Sequence, residues 1–153
     1  MINAFETKLT NSPNSDVKSM RRLIEEYFEA WETGIAEQVL NYFSDDVVVE
    51  LTGQGMSLAG KDMVAKHWIE PTLKSFPRNR HSIKKFVESD AQVVIEWDFI
   101  ASHARSGKEI HVAGRSVYFV KENLIRRGEV FFENAQDQQK KSQVHPTALP
   151  RAS

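Results

Sequence analysis

Tyr27 and Trp31 stand four residues apart, and Val17, Met20, Leu23, Ile24 and Phe28 recur around them at intervals of three and four. On a helix that spacing puts both rings on one buried stripe, a turn apart. A phenol and an indole aimed into an apolar interior are uncharged hydrogen-bond donors. Their chemistry is to polarise a carbonyl or hydroxyl oxygen; the alternative is a pair of core aromatics whose O–H and N–H find ordinary partners. Ser116 adds a hydroxyl among apolar inward positions, where a Ser also serves as a small packing residue. His67, beside Trp68, is placed to reach the mouth of a pocket, whereas His81, His103 and His111 read as surface positions at strand ends or beside a hairpin. Any one of them near the pocket would be the best general base close to neutral pH.

Other chemistries are excluded or unsupported. The chain has no cysteine, so thiolate nucleophiles, Cys-ligated zinc, iron–sulfur clusters and disulfides are ruled out. No His-x-x-x-His or His–carboxylate spacing supports a metal, and Gly53-Gln54-Gly55-Met56 lacks both phosphate-loop frameworks, so neither metal nor cofactor is expected. A net charge of −1 argues against a nucleic-acid partner. No apolar run approaches the ~20 residues of a membrane span, and the first residues lack the pattern of a secretory leader. A soluble cytoplasmic protein is the expectation.

The elements that position these residues follow from pattern. With 153 residues, 41% of them hydrophobic, the chain reads as one domain over 16–133 between polar tails at 1–15 and 134–153. A helix is predicted over 16–33, capped by Ser15 or Asp16 and stopped by Gly34; a short second helix runs from Ile35 through Phe43. VVVEL (47–51) reads as a strand, 52–59 as a loop forming a pocket rim with Met56 and Leu58 turned inward, and Gly60 opens a third helix through Trp68. Residues 80–88, 92–104, 109–120 and 124–133 alternate with period two, separated by Ser89-Asp90, Ser106-Gly107 and Glu122-Asn123. Helices followed by a meander make an α+β fold: a curved antiparallel sheet wrapped around the long helix, leaving a cone.

A tight turn at Ser106-Gly107 pairs Phe99 with Gly114 and Trp97 with Ser116. It puts Ile95, Trp97, Phe99, Val112 and Gly114 on the inner face and an Asp98–Arg115 ion pair outside, near Glu129. Ile100, Val117, Phe119 and Phe131 then make the outer face too apolar for water alone, which predicts a homodimer through the sheet, or else a helix packed there.

The run LIEEYFEAWETGIAEQVLNYFSDD (23–46), followed by VVVEL and LAGKDMVAKHW, resembles the NTF2-like cone fold; the closing Val130-Phe131-Phe132-Glu133 fits that fold's last strand. The nearest patterns are ketosteroid isomerases, SnoaL-like polyketide cyclases and limonene-epoxide hydrolases, and the likeness spans most of 17–133. It implies an oxyanion-hole role for Tyr27, with Ser116 at the isomerases' second donor, and Trp68 as a pocket wall. The isomerases' catalytic base falls on Leu51, and the last-strand aspartate of the cyclases and hydrolases on Val130. The hydrolases' Arg/Asp pair falls on Trp97 and Phe99, and their water-holding pair on Val49 and Leu51. The charged parts of all three catalytic sets are thus replaced by apolar residues.

The combined expectation is an enzyme that isomerises, cyclises or dehydrates an apolar metabolite of polyketide, terpenoid or steroid-like shape. Tyr27 and Ser116 are its catalytic groups. Trp31, Val49, Leu51, Met56, His67, Trp68, Trp97, Phe99, Val112, Val130 and Phe132 are its substrate contacts. The alternative is a ligand carrier or dimeric scaffold. An ionisable side chain in the cone favours the enzyme; a purely apolar lining favours the carrier.

Overall fold

A computed structural model of the chain describes residues 18–133. Both predicted tails, and Ser15 and Asp16, lie outside the described residues. The first helix, α1 (Met20–Glu32), is capped by Ser19, whose hydroxyl accepts the Arg22 N–H at 3.1 Å. Its stripe of Leu23, Ile24, Tyr27, Phe28 and Trp31 is buried, while Arg21–Glu25 and Arg22–Glu26 pairs line the outer side. Gly34 ends the helix at φ +75°, where a Cβ would come within 2.8 Å of the Pro77 carbonyl oxygen. Only glycine meets both demands.

The second helix, α2 (Ala36–Leu40), is shorter than predicted, because Phe43 already belongs to strand β1 (Phe43–Thr52) and pairs with Ile125. The segment predicted as a rim loop contains strand β2 (Met56–Ala59), antiparallel to β1, with Gly53 and Gly55 supplying the left-handed turn. The third helical run is α3 (Lys61–Val64), a π-helical turn over Ala65–Ile69 and α4 (Glu70–Ser75).

Strands β3 (Arg78–Ser89), β4 (Gln92–Ser102), β5 (Glu109–Lys121) and β6 (Leu124–Glu133) form the predicted meander. The six-stranded order is β2-β1-β6-β5-β4-β3, with β1 parallel to β6 and every other pair antiparallel. The α+β cone is as expected, but the sheet is mixed.

The β4–β5 register differs from the predicted one by two residues: Trp97 faces Gly114, Phe99 faces Val112 and Ile95 faces Ser116. The connection is a longer turn, closed by His103 N–H to Lys108 O (2.8 Å) and Gly107 N–H to His103 O (2.9 Å). An even shift leaves every side chain on its predicted face. It does dissolve the predicted Asp98–Arg115 pair. Asp98 meets His111 at 3.2 Å and Lys84 at 3.7 Å instead, and the Arg115 guanidinium lies over the Phe131 ring at 4.6 Å.

Two inner-face glycines make room for the largest rings. A Cβ on Gly114 would fall 2.3 Å from the Trp97 indole, and one on Gly128 would fall 2.8 Å from the Tyr118 ring. Asn79, buried on β3, joins layers by donating to the carbonyls of Trp31 (3.0 Å) and Phe76 (3.1 Å). Among the described residues no helix is long and apolar enough to cross a membrane.

Candidate functional site

Between α1, the π turn with α4, and the inner sheet face lies a cavity of about 410 Å³. All three tryptophans of the chain, Trp31, Trp68 and Trp97, line it together with Phe28, Phe76, Phe99 and Phe132. The π turn carries His67 and Trp68. A wider turn inside a helix re-aims neighbouring side chains and recurs at functional sites. Here it sends Trp68 inward against Trp31 (ring centroids 5.5 Å apart) and leaves His67 exposed at the rim, with Gln54 from the β1–β2 turn.

The cavity floor is a set of neutral donors. Trp97 Nε1–H donates to Ser116 Oγ at 2.9 Å, a diagonal contact across β4 and β5. The Tyr118 and Tyr27 hydroxyl oxygens are 3.0 Å apart, and the Trp31 ring packs edge-on against Tyr27 with centroids 6.5 Å apart. Indoles can only donate. Trp97 is therefore the donor to Ser116, and of the two phenols one donates to the other. Burial pushes both phenols above their ordinary pKa, so both keep their protons. The floor is closed, however: Tyr27 exposes 0% of its surface and Ser116 and Tyr118 each 1%.

His81 corrects the sequence reading. It is no surface residue: its ring stacks face to face on Phe28, with centroids 4.5 Å apart, and stands 5.0 Å from Phe99, 5.7 Å from Trp31 and 5.9 Å from Trp97. Its backbone N–H donates to the Glu32 carboxylate at 3.0 Å, which anchors this edge strand to the end of α1. Nδ1 is sealed and has no hydrogen-bond partner, and the residue lines the cavity. Burial pushes the imidazole pKa down to about 3, so the ring is neutral at physiological pH. Among the described residues no carboxylate lines the cavity; Glu50, Glu96, Asp98 and Glu129 alternate with the inward positions of their strands.

Of the predicted site residues, Tyr27, Ser116, Trp31, Leu51, His67, Trp68, Trp97, Phe99, Val112, Val130 and Phe132 meet at this cavity. Val49 and Met56 do not. Val49 lies two residues deeper along β1, fully buried beside Gly128; Met56 sits on edge strand β2 opposite Leu51 and packs on the core outside the cavity. The sequence reading missed Tyr118 and His81. Tyr118 shares the inward parity of Ser116, and His81 shares that of Ile83, so strand alternation held the signal for both.

The SnoaL-like domain family matches residues 24–128. No protein of curated function matches the sequence significantly. Among solved structures, a putative hydroxylase from Streptomyces galilaeus superposes with a TM-score of 0.67 at 17% identity, over 86% of this chain and 84% of that one. A putative SnoaL-like polyketide cyclase from Shewanella putrefaciens gives 0.66 at 9% identity, over 84% and 97%. An epoxide hydrolase of the limonene-epoxide hydrolase type from M. tuberculosis gives 0.61 at 17%, over 73% and 80%. At such identities the likeness carries the fold alone, NTF2-like in each case.

Proposed function

The chain belongs to the SnoaL-like domain family, and from that premise we propose that it is an enzyme for an uncharged, apolar metabolite of polyketide, terpenoid or steroid-like shape. It isomerises, cyclises or dehydrates that substrate, with Tyr27 polarising a substrate oxygen. The observation that carries the reading is the set of neutral donors, Trp97 with Ser116 and Tyr118 with Tyr27, beneath an aromatic cavity. Because Tyr27 is covered, a ligand oxygen reaches its hydroxyl through a side-chain movement at the floor. With no carboxylate base among the described lining residues, rate enhancement rests on orientation and hydrogen bonding, which suits ring closure better than a proton shuttle.

Since all three tryptophans line the cavity, their fluorescence reports its occupancy directly. 1-Tetralone and tetralin share a bicyclic skeleton and differ by one carbonyl oxygen. The ketone is expected to bind more tightly by more than about fivefold, the worth of more than one hydrogen bond. Equal affinities, or no binding of either, would remove the polarising role and favour a scaffold.

We also propose a homodimer through the outer sheet face, supported by Phe119, 40% exposed, beside the partly buried Val117, Phe131 and Ile100. Light scattering at micromolar concentration is expected to give twice the chain mass. A monomer would overturn it.

A further inference from the structure

We propose that His81 is a substrate-contacting hydrogen-bond donor: its Nε2–H meets the ligand oxygen in the cavity and selects uncharged, oxygen-bearing ligands over ions. The proposal rests on the reading of the cavity as a small-molecule site. It starts from the sealed, unpartnered Nδ1. A neutral imidazole has one N–H and one bare nitrogen. A buried N–H without a partner is the rarer and costlier orphan, so the sealed Nδ1 is the bare nitrogen and the proton sits on Nε2. With Nδ1 sealed, Nε2 is the ring nitrogen left to face the cavity that His81 lines.

The walls fix the ring's direction. Phe28 stacks flat on one face, while Phe99, Trp31 and Trp97 approach at steep angles, so rotation of the ring would collide with them. The Glu32 carboxylate accepts from the His81 backbone N–H and does not neutralise an imidazolium. Burial pushes the imidazole pKa down to about 3, because a positive charge on the ring would lose its hydration there. An aromatic box can otherwise hold an alkylammonium by cation–π attraction. The two ligand classes therefore make opposite predictions.

The test uses the full chain. With ring-15N histidine, long-range 1H–15N correlations give the tautomer of each imidazole, and His81→Phe identifies the His81 signals. The Nε2–H tautomer is expected, unchanged between pH 8 and 5, and its N–H resonance should move when 1-tetralone is added. His81→Phe, which keeps the stack on Phe28, should weaken 1-tetralone about fivefold and leave tetralin within twofold. His81→Gln, which restores an N–H donor, should recover most of the loss. 1-Naphthylmethylammonium should bind at least tenfold more weakly than 1-tetralone. An Nδ1–H tautomer, a ring charged at pH 6, an unchanged ketone affinity in His81→Phe, or preferred binding of the ammonium would each overturn the proposal. Should His81→Phe not fold, the tautomer of the unaltered chain decides. Loss of the wild-type preference for ketone over tetralin overturns the proposed function itself, whereas retention of that preference in His81→Phe overturns only the role of His81.

Discussion

Tyr27→Phe is expected to lower turnover by ~10²–10³ while costing only about 0.5–1.5 kcal/mol of stability. The ring keeps its edge contacts with Trp31, Phe43 and Tyr118, so the packing of α1 on the sheet is preserved. What is lost is the hydroxyl and, with it, a polarising contact that strengthens as charge develops on the substrate oxygen. Tyr118→Phe is the matched control. It also deletes the hydroxyl contact at 3.0 Å but leaves Tyr27 its own proton, so turnover should stay within about tenfold of wild type. If Tyr27 is only a core aromatic, the pattern reverses: both variants lose stability to similar extents and turnover is untouched. Denaturant unfolding and steady-state kinetics on the same two proteins separate these outcomes.

Acidification is expected to destabilise the protein through His81, by about 2 kcal/mol between pH 7 and pH 5. In the folded state burial holds the imidazole pKa at about 3, whereas in the unfolded chain it titrates near its ordinary value of 6.5. Between those values the unfolded state binds a proton that the folded state cannot. Stability is therefore complete above about pH 6.5 and falls as pH drops, with a slope approaching 1.4 kcal/mol per pH unit. Urea unfolding of wild type and His81→Phe at pH 7.5 and pH 5 isolates the effect, because the other titrating groups cancel in the difference. The stability gap between the two proteins should shift by about 2 kcal/mol in favour of the variant at pH 5. A gap independent of pH would mean that the imidazole is hydrated and lies outside the dry part of the cavity.

The sequence by itself determined which faces are buried. The three-and-four spacing from Leu23 to Trp31 set the inward side of α1, and period two set the inward sides of β4 and β5. A two-residue register error left those faces intact, since parity is indifferent to an even shift. That is why Tyr27, Trp31, Trp97, Phe99 and Ser116 were legible as neighbours of one cavity.

Partners and depth belonged to the tertiary structure. Tyr27 and Tyr118 meet across 91 residues of chain, a contact set by how α1 docks on the sheet and by the room Gly128 leaves for the ring. His81 was obscured because β3 breaks its own alternation. Lys84 bulges between the Ile83–Trp97 and Lys85–Glu96 pairs, so that Ile83 and Phe86, three apart, both pack on the core. With polar Asn79 and His81 before them, the strand offers no continuous apolar stripe to read. Local pattern encodes the sidedness of each element because its period is intrinsic to the backbone. Which polar atoms meet, and which stay unpartnered at the cavity, is decided only when strand order, bulges and helix docking bring distant segments together.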